Sequence, residues 1–180
     1  LPLVYKTVEI EILKNIYKIP SDHYIIGSFQ KDTEGSDNTK PKLSKGPDIF
    51  IKIVEDMKNM GKKPFIILTG WRRTYIIMNL KRLKIPYCYH ETIDKITLNE
   101  LYNCLDLYVV SSRVEGGPRS ILECGLAKVP IISTDVGMSN EILHPDSIYD
   151  VNIWETYREA IPNTEYAYKK SYEYKIENYM

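Results

Sequence analysis

Residues 111–123 read SSRVEGGPRSILE, in which two carboxylates, Glu115 and Glu123, stand with seven residues between them and a Gly-Gly-Pro turn inside the interval. An ionised carboxylate only accepts hydrogen bonds, so such a pair suits hydroxyl-rich partners such as ribose and hexose. Gly116 and Gly117 let backbone amides approach a ligand closely, and Pro118 suits the first position of a helix, where no intrahelical donor is needed. The spacing therefore predicts a helix opening here, and the unpaired amides and positive dipole end of its first turn favour an anion, phosphate above all. A competing chemistry uses the same residues. Glu123 lies four residues after Arg119 and is placed for a surface ion pair, worth only about 0.3–0.5 kcal/mol, while Glu115 is placed to solvate a loop. Spacing alone does not choose between the two.

The elements around this stretch alternate. HYIIGSF (23–29), PFIILTG (64–70), IPYCYH (85–90), LDLYVVSS (105–112) and VPIISTD (129–135) are short β-rich runs of the kind found in buried parallel strands. Between them, DIFIKIVEDMKNM (48–60), RTYIIMNLKRL (73–83), TLNELYNCL (97–105) and RSILECGLA (119–127) read as helices, the third opened by a capping box of Thr97 and Glu100. Strands alternating with helices of about ten residues mean βαβ units and a parallel sheet with right-handed crossovers. The expected fold is α/β, a Rossmann-like doubly wound parallel sheet. One domain is expected over 1–180, with a lead-in helix in 1–20, the core in 21–150 and C-terminal helices in 151–180. The last of these, over 163–180, is rich in Tyr and Lys and predicts one helix with an amphipathic face, either covering this domain or docking on another. The polar segment KDTEGSDNTKPKLSKGP (31–47) is too long for a βα connection of about 2–6 residues. It follows the carboxyl end of the first strand, where open α/β sheets bind ligands, so it is expected to be functional if ordered.

Composition narrows the function. A chain of 180 residues, 43% of them hydrophobic, supports one domain with a sizeable core. Its 24 basic and 24 acidic residues leave no net field to attract nucleic acid or an anionic membrane. Cys88, Cys104 and Cys124 are odd in number and lack Cys-x-x-Cys spacing, so buried thiols in a reducing cytoplasm are expected. No apolar run approaches the length of about 20 residues that spans a bilayer. A first residue of Leu1 is read as the start of an excised piece of something longer.

The stretch SSRVEGGPRSILECGLAKVPIISTDVG (111–137) resembles the signature of the retaining glycosyltransferases of family 4, whose donor domains carry two glutamates at the spacing of Glu115 and Glu123. Ala127, Pro130, Thr134, Asp135, Val136 and Gly137 continue the likeness, and IIGSFQKD (25–32) and KGPDIF (45–50) extend it upstream. The resemblance implies GT-B architecture, with two Rossmann-like domains facing across a cleft, of which this chain is similar to the second, the one that binds the nucleotide sugar. It places Glu115 on the hydroxyls of the donor hexose, as a catalytic residue together with Lys45, which grips the diphosphate. It places Glu123 on the ribose, and Gly27, Ser28, Gly116, Gly117, Pro118 and Arg119 around the donor. His90, at the end of IPYCYH, stands where the family's base-binding loop would be, whereas His23 and His144 are expected at the surface. Many members carry an arginine directly after the first-strand glycine, where this chain has Ser28; Lys31, Arg72 or Arg73 would have to supply the charge, Arg73 being preferred. The implied partners are a UDP- or GDP-linked sugar, a missing N-terminal acceptor domain and a glycan or lipid-linked acceptor, with any membrane contact made through the missing half. No cofactor is expected, and no metal, since no Asp-x-Asp occurs to chelate one at the diphosphate. Two other functions share these residues: a non-catalytic nucleotide-sugar binding module, and a nucleotide-sugar epimerase, which the glutamate spacing and the Asp-Val-Gly segment suit less well.

Overall fold

Alternation within the strands decides which helices cover which face of the sheet. The structure is a computed structural model that describes residues 9–35 and 39–179. In β1 (Tyr24–Ser28), Ile25 packs toward one face and Ile26 toward the other; in β4 (Pro64–Thr69), Ile67 and its neighbours Ile66 and Leu68 divide in the same way. All six residues of β4 are buried, as a strand covered on both faces requires. With β5 (Tyr87–His90), β6 (Leu107–Val110), β7 (Ile131–Thr134) and β8 (Ile148–Tyr149) they form one parallel sheet in the order β5-β4-β1-β6-β7-β8. This is the doubly wound order, and it reverses between β1 and β6.

Helices α2 (Pro47–Asn59) and α3 (Thr74–Leu83) close one face with Phe50, Ile53, Ile76 and Leu80. The other face is closed by α1 (Ile10–Ile16), α4 (Lys95–Asn103) and α5 (Arg119–Ala127), through Leu13, Leu101 and Ile121. A short α6 (Ser139–Ile142) follows β7, and α7 (Thr164–Tyr179) lies on α5. Small residues set the closeness of that contact: Ala167 and Ser171 are fully buried, and a side chain at Gly125 would overlap the Ser171 hydroxyl, while Tyr168 lies under the Lys128 ammonium at the end of α5. The last helix therefore covers this domain along that contact.

Several expectations shift. The strand β8 is two residues long, too short to leave a pattern in sequence. Of the lead-in helix expected in 1–20, Ile10–Ile16 is helical, and residues 1–8 lie outside the described residues. The capping box is displaced: Asp94 is the N-cap and accepts the Thr97 amide at 2.7 Å, which starts α4 earlier, while Glu100 takes the Tyr17 hydroxyl. Pro118 is likewise one step out of place. It is the N-cap of α5, with an extended ψ of 114°, and not the first helical residue. The polar 31–47 segment folds, in its described part, into an antiparallel pair, β2 (Thr33–Glu34) with β3 (Lys40–Pro41), and then a 3-10 turn over Leu43–Lys45. It leaves the end of β1 and returns to it, which positions Lys45.

Candidate functional site

A cleft of about 450 Å³ opens at the carboxyl ends of β5, β4, β1 and β6, the edge where the strand order reverses. Lys45, Glu115, Pro118, Arg119 and Glu123 line it, with Tyr102 and Tyr108 on its floor. The start of α5 opens on it through Pro118, Arg119 and Ser120, while the Ile121 amide is taken by the Pro118 carbonyl at 3.0 Å.

Lys45 and Glu115 meet because two loops are stitched together. The amides of Arg113 and Val114 both donate to the Ser44 carbonyl, at 2.9 and 3.1 Å, and Arg113 grips Asp48 with two hydrogen bonds of 2.8 and 2.7 Å. Burial alone would raise the Asp48 carboxyl, but the Arg113 guanidinium outweighs it and holds the group below the ordinary carboxylate range. Gly46 sits between the loops with φ +60°, and a Cβ there would overlap the Ser111 carbonyl oxygen. So held, the Lys45 ammonium bonds Glu115, and Ser112 donates to the same Glu115 oxygen at 3.0 Å. Ser112 is in turn fixed by Thr134, whose hydroxyl donates to its carbonyl at 2.6 Å. Gln30 donates to the Lys45 carbonyl at 3.1 Å.

Glu123 makes no ion pair with Arg119 among the described residues; it accepts the Tyr102 hydroxyl at 2.7 Å. Tyr102 is 1% exposed, with its ring against Phe29 at 4.8 Å and Tyr108 at 5.8 Å between centroids. The Tyr108 hydroxyl accepts the Phe29 amide at 3.0 Å. Burial, with Tyr108 and Glu123 adding to it, raises the Tyr102 phenol well above its ordinary value, so it remains a donor.

Other expected site residues lie around or beneath the cleft. Gly27 is in the sheet, where a Cβ would overlap Leu105 and come within 3.0 Å of Tyr108. Ser28 is buried and accepts a hydrogen bond of 2.8 Å from Arg73. Arg73, only 1% exposed, lies under the cleft and off its wall, 3.4 Å from Asp32. Burial works against both charges, raising the Asp32 carboxyl to about 6 and pulling the Arg73 guanidinium below its ordinary value. The Nε and Nη1 of Arg73 are buried without a hydrogen-bond partner among the described residues. His90 ends β5 and accepts the Gly70 amide through its carbonyl at 3.2 Å, with its ring edge-on to Tyr17; the following residues Glu91 to Ile93 are the ones that line the cleft. Gly117 packs against Gly137, where a Cβ would lie 2.8 Å from the Gly117 nitrogen, whereas Gly116 has open space around it. Among the described residues no three His, Cys, Asp or Glu side chains come together in a group able to hold a metal ion.

Sequence reasoning missed Ser112, Gln30 and Tyr102. Ser112 left a signal, a polar residue at the end of an apolar strand three positions before Glu115. Tyr102 left none, because in a helical pattern beside Leu101 it reads as core.

Residues 41–173 match the profile of the family described as glycosyl transferases group 1. No curated protein matches significantly by sequence. Among solved structures, sucrose-phosphate synthase from Thermosynechococcus elongatus superposes with a TM-score of 0.68 at 13% identity, over 95% of this chain and 45% of that one. HepE from Anabaena, solved in complex with UDP and glucose, gives 0.68 at 16% identity over 96% and 49%. The C-terminal domain of the group 1 glycosyl transferase LpcC from Francisella tularensis gives 0.68 at 18% identity over 98% and 96%. These likenesses carry the fold, and this chain spans about half the length of the first two proteins.

Proposed function

We propose that this chain, which belongs to the family of group 1 glycosyl transferases, is the donor-binding half of a retaining family 4 enzyme with GT-B architecture. It holds a nucleoside-diphosphate hexose whose sugar passes to a hydroxyl of a glycan or lipid-linked acceptor bound by an N-terminal domain. The observation that carries this reading is the convergence of Lys45, Glu115, Glu123 and the start of α5 on one cleft at the reversal of strand order. The complex of HepE with UDP and glucose supports a nucleotide sugar as the class of ligand.

In this scheme Glu123 receives the ribose hydroxyls and Glu115 the hexose hydroxyls. As the bond from the anomeric carbon to the β-phosphate oxygen breaks, negative charge grows on that phosphate. Lys45 and the α5 amides stabilise it most, because they are oriented before the reaction begins. The departing phosphate accepts the proton of the attacking hydroxyl, and the sugar keeps its anomeric configuration. No metal takes part, and the reaction is cytoplasmic.

Calorimetry in EDTA with UDP, GDP, ADP and their glucose conjugates tests this. One of these bases is expected to bind. Glu123→Ala should weaken both the diphosphate and its sugar conjugate about tenfold, and Glu115→Ala should weaken the conjugate relative to the diphosphate, since charge-assisted hydrogen bonds are worth about 1.5–3 kcal/mol and the loss of Glu115 also releases Lys45. Binding abolished by EDTA, or both variants binding like the parent, would refute the reading.

A further inference from the structure

We infer that Tyr102 is a positioning residue that makes Glu123 a reader of ribose hydroxyls, so that the cleft selects ribonucleoside diphosphates over their 2′,3′-dideoxy counterparts. The inference rests on the ribose role proposed for Glu123 and adds what enforces it. Glu123 stands in the second turn of α5, on a side chain with three rotatable bonds and no ion pair among the described residues. Left to itself, that carboxylate samples several rotamers, and ordering it on binding costs affinity. The Tyr102 hydroxyl removes this freedom by holding Oε2 at 2.7 Å, and Oε1 is left for the ligand.

The holder is itself rigid. Its ring is wedged between Phe29 and Tyr108, its exposure is 1%, and it enters from α4, so the carboxylate is fixed from a different helix than the one that carries it. Both Tyr102 and Glu123 line the cleft, so the bond lies where the core meets the ligand's side. A phenol that stays protonated over the working pH range donates to the carboxylate permanently.

The test uses the 180-residue chain, since the C-terminal domain of the Francisella tularensis protein, matched over 96% of its length, crystallised by itself. Calorimetry compares the tightest binder among UDP, GDP and ADP with its 2′,3′-dideoxy counterpart for the parent, Tyr102→Phe, Glu123→Ala and the double variant. Tyr102→Phe keeps the ring, and its melting temperature monitors folding. The expected result is about a fivefold loss for the ribonucleotide, the factor of an ordinary net hydrogen bond, with the dideoxy ligand unchanged within about twofold. In the Glu123→Ala background the tyrosine substitution should have no further effect. Full ribose discrimination in Tyr102→Phe, equal loss for both ligands, or additive losses in the double variant would each overturn the inference. If Glu123→Ala itself leaves the ribonucleotide affinity intact, the ribose role is what fails.

Discussion

At Glu123 the bland alternative was an ion pair with Arg119 on an exposed helix, and the structure replaces it with a buried phenol. The difference matters in magnitude: exposed pairs contribute about 0–1 kcal/mol, whereas a hydrogen bond to a charged group contributes about 1.5–3. Lys45 is the sharper case, because its ammonium is held on Glu115. A diphosphate arriving in the cleft meets a cation held in place. Lys45→Ala should therefore weaken every nucleoside diphosphate in the panel about tenfold and leave the bare nucleoside unchanged. Isothermal titration with UDP and uridine, or the matching pair of another base, checks it; equal loss for nucleoside and diphosphate would show Lys45 acting through the fold and not on phosphate.

Among the elements, the stitched pair of loops after β1 and β6 is what turns sequence-distant residues into a site. Its tightest point is Gly46, which takes φ +60° and packs where a Cβ would overlap the Ser111 carbonyl. Left-handed backbone costs an alanine about 1–2 kcal/mol, and the clash with backbone adds to it. Gly46→Ala should therefore destabilise by about 3 kcal/mol or more, lowering the melting temperature of a domain of this size by roughly 10 °C. Gly116→Ala is the contrast, since nothing lies within 4 Å of a Cβ there. It should melt within about 2 °C of the parent. Scanning calorimetry on the two variants decides whether glycine in this region serves packing or access: Gly46 the first, Gly116 the second.

On the scale of the molecule, a six-stranded sheet carries the cleft at its carboxyl edge, and the proposed function makes it one wall of a two-domain site. It matches about half of sucrose-phosphate synthase and of HepE. Transfer needs an acceptor hydroxyl held at attack distance from the anomeric carbon, a positioning worth about 7–11 kcal/mol of barrier in well-oriented systems. The 180-residue chain should bind donor yet transfer no sugar until an acceptor-binding domain is supplied. A radiolabelled transfer assay with and without that domain tests this, and robust transfer by the chain alone would mean that the acceptor site lies within it.

Five strands and the helix over 119–127 were legible in sequence because each depends on local pattern: a short β-rich run, a helical period, a turn of Gly and Pro. The candidate cleft was legible in part for the same reason, since Glu115, Glu123 and Lys45 sit in motifs that local spacing and family likeness expose. The two-residue strand β8 left no period to detect, and Asp94 took the cap from Thr97 because two competing acceptors three residues apart look alike until the chain is folded. Arg73 was placed by its position at a strand end, but whether it faces the cleft or the interior depends on side-chain direction, and the structure turns it inward to Ser28 and Asp32. The pairing of Tyr102 with Glu123 lay beyond sequence altogether. It joins side chains of two different helices whose relative placement is set by packing on the sheet, so only the tertiary structure decided which atoms of the motif are held and which are free.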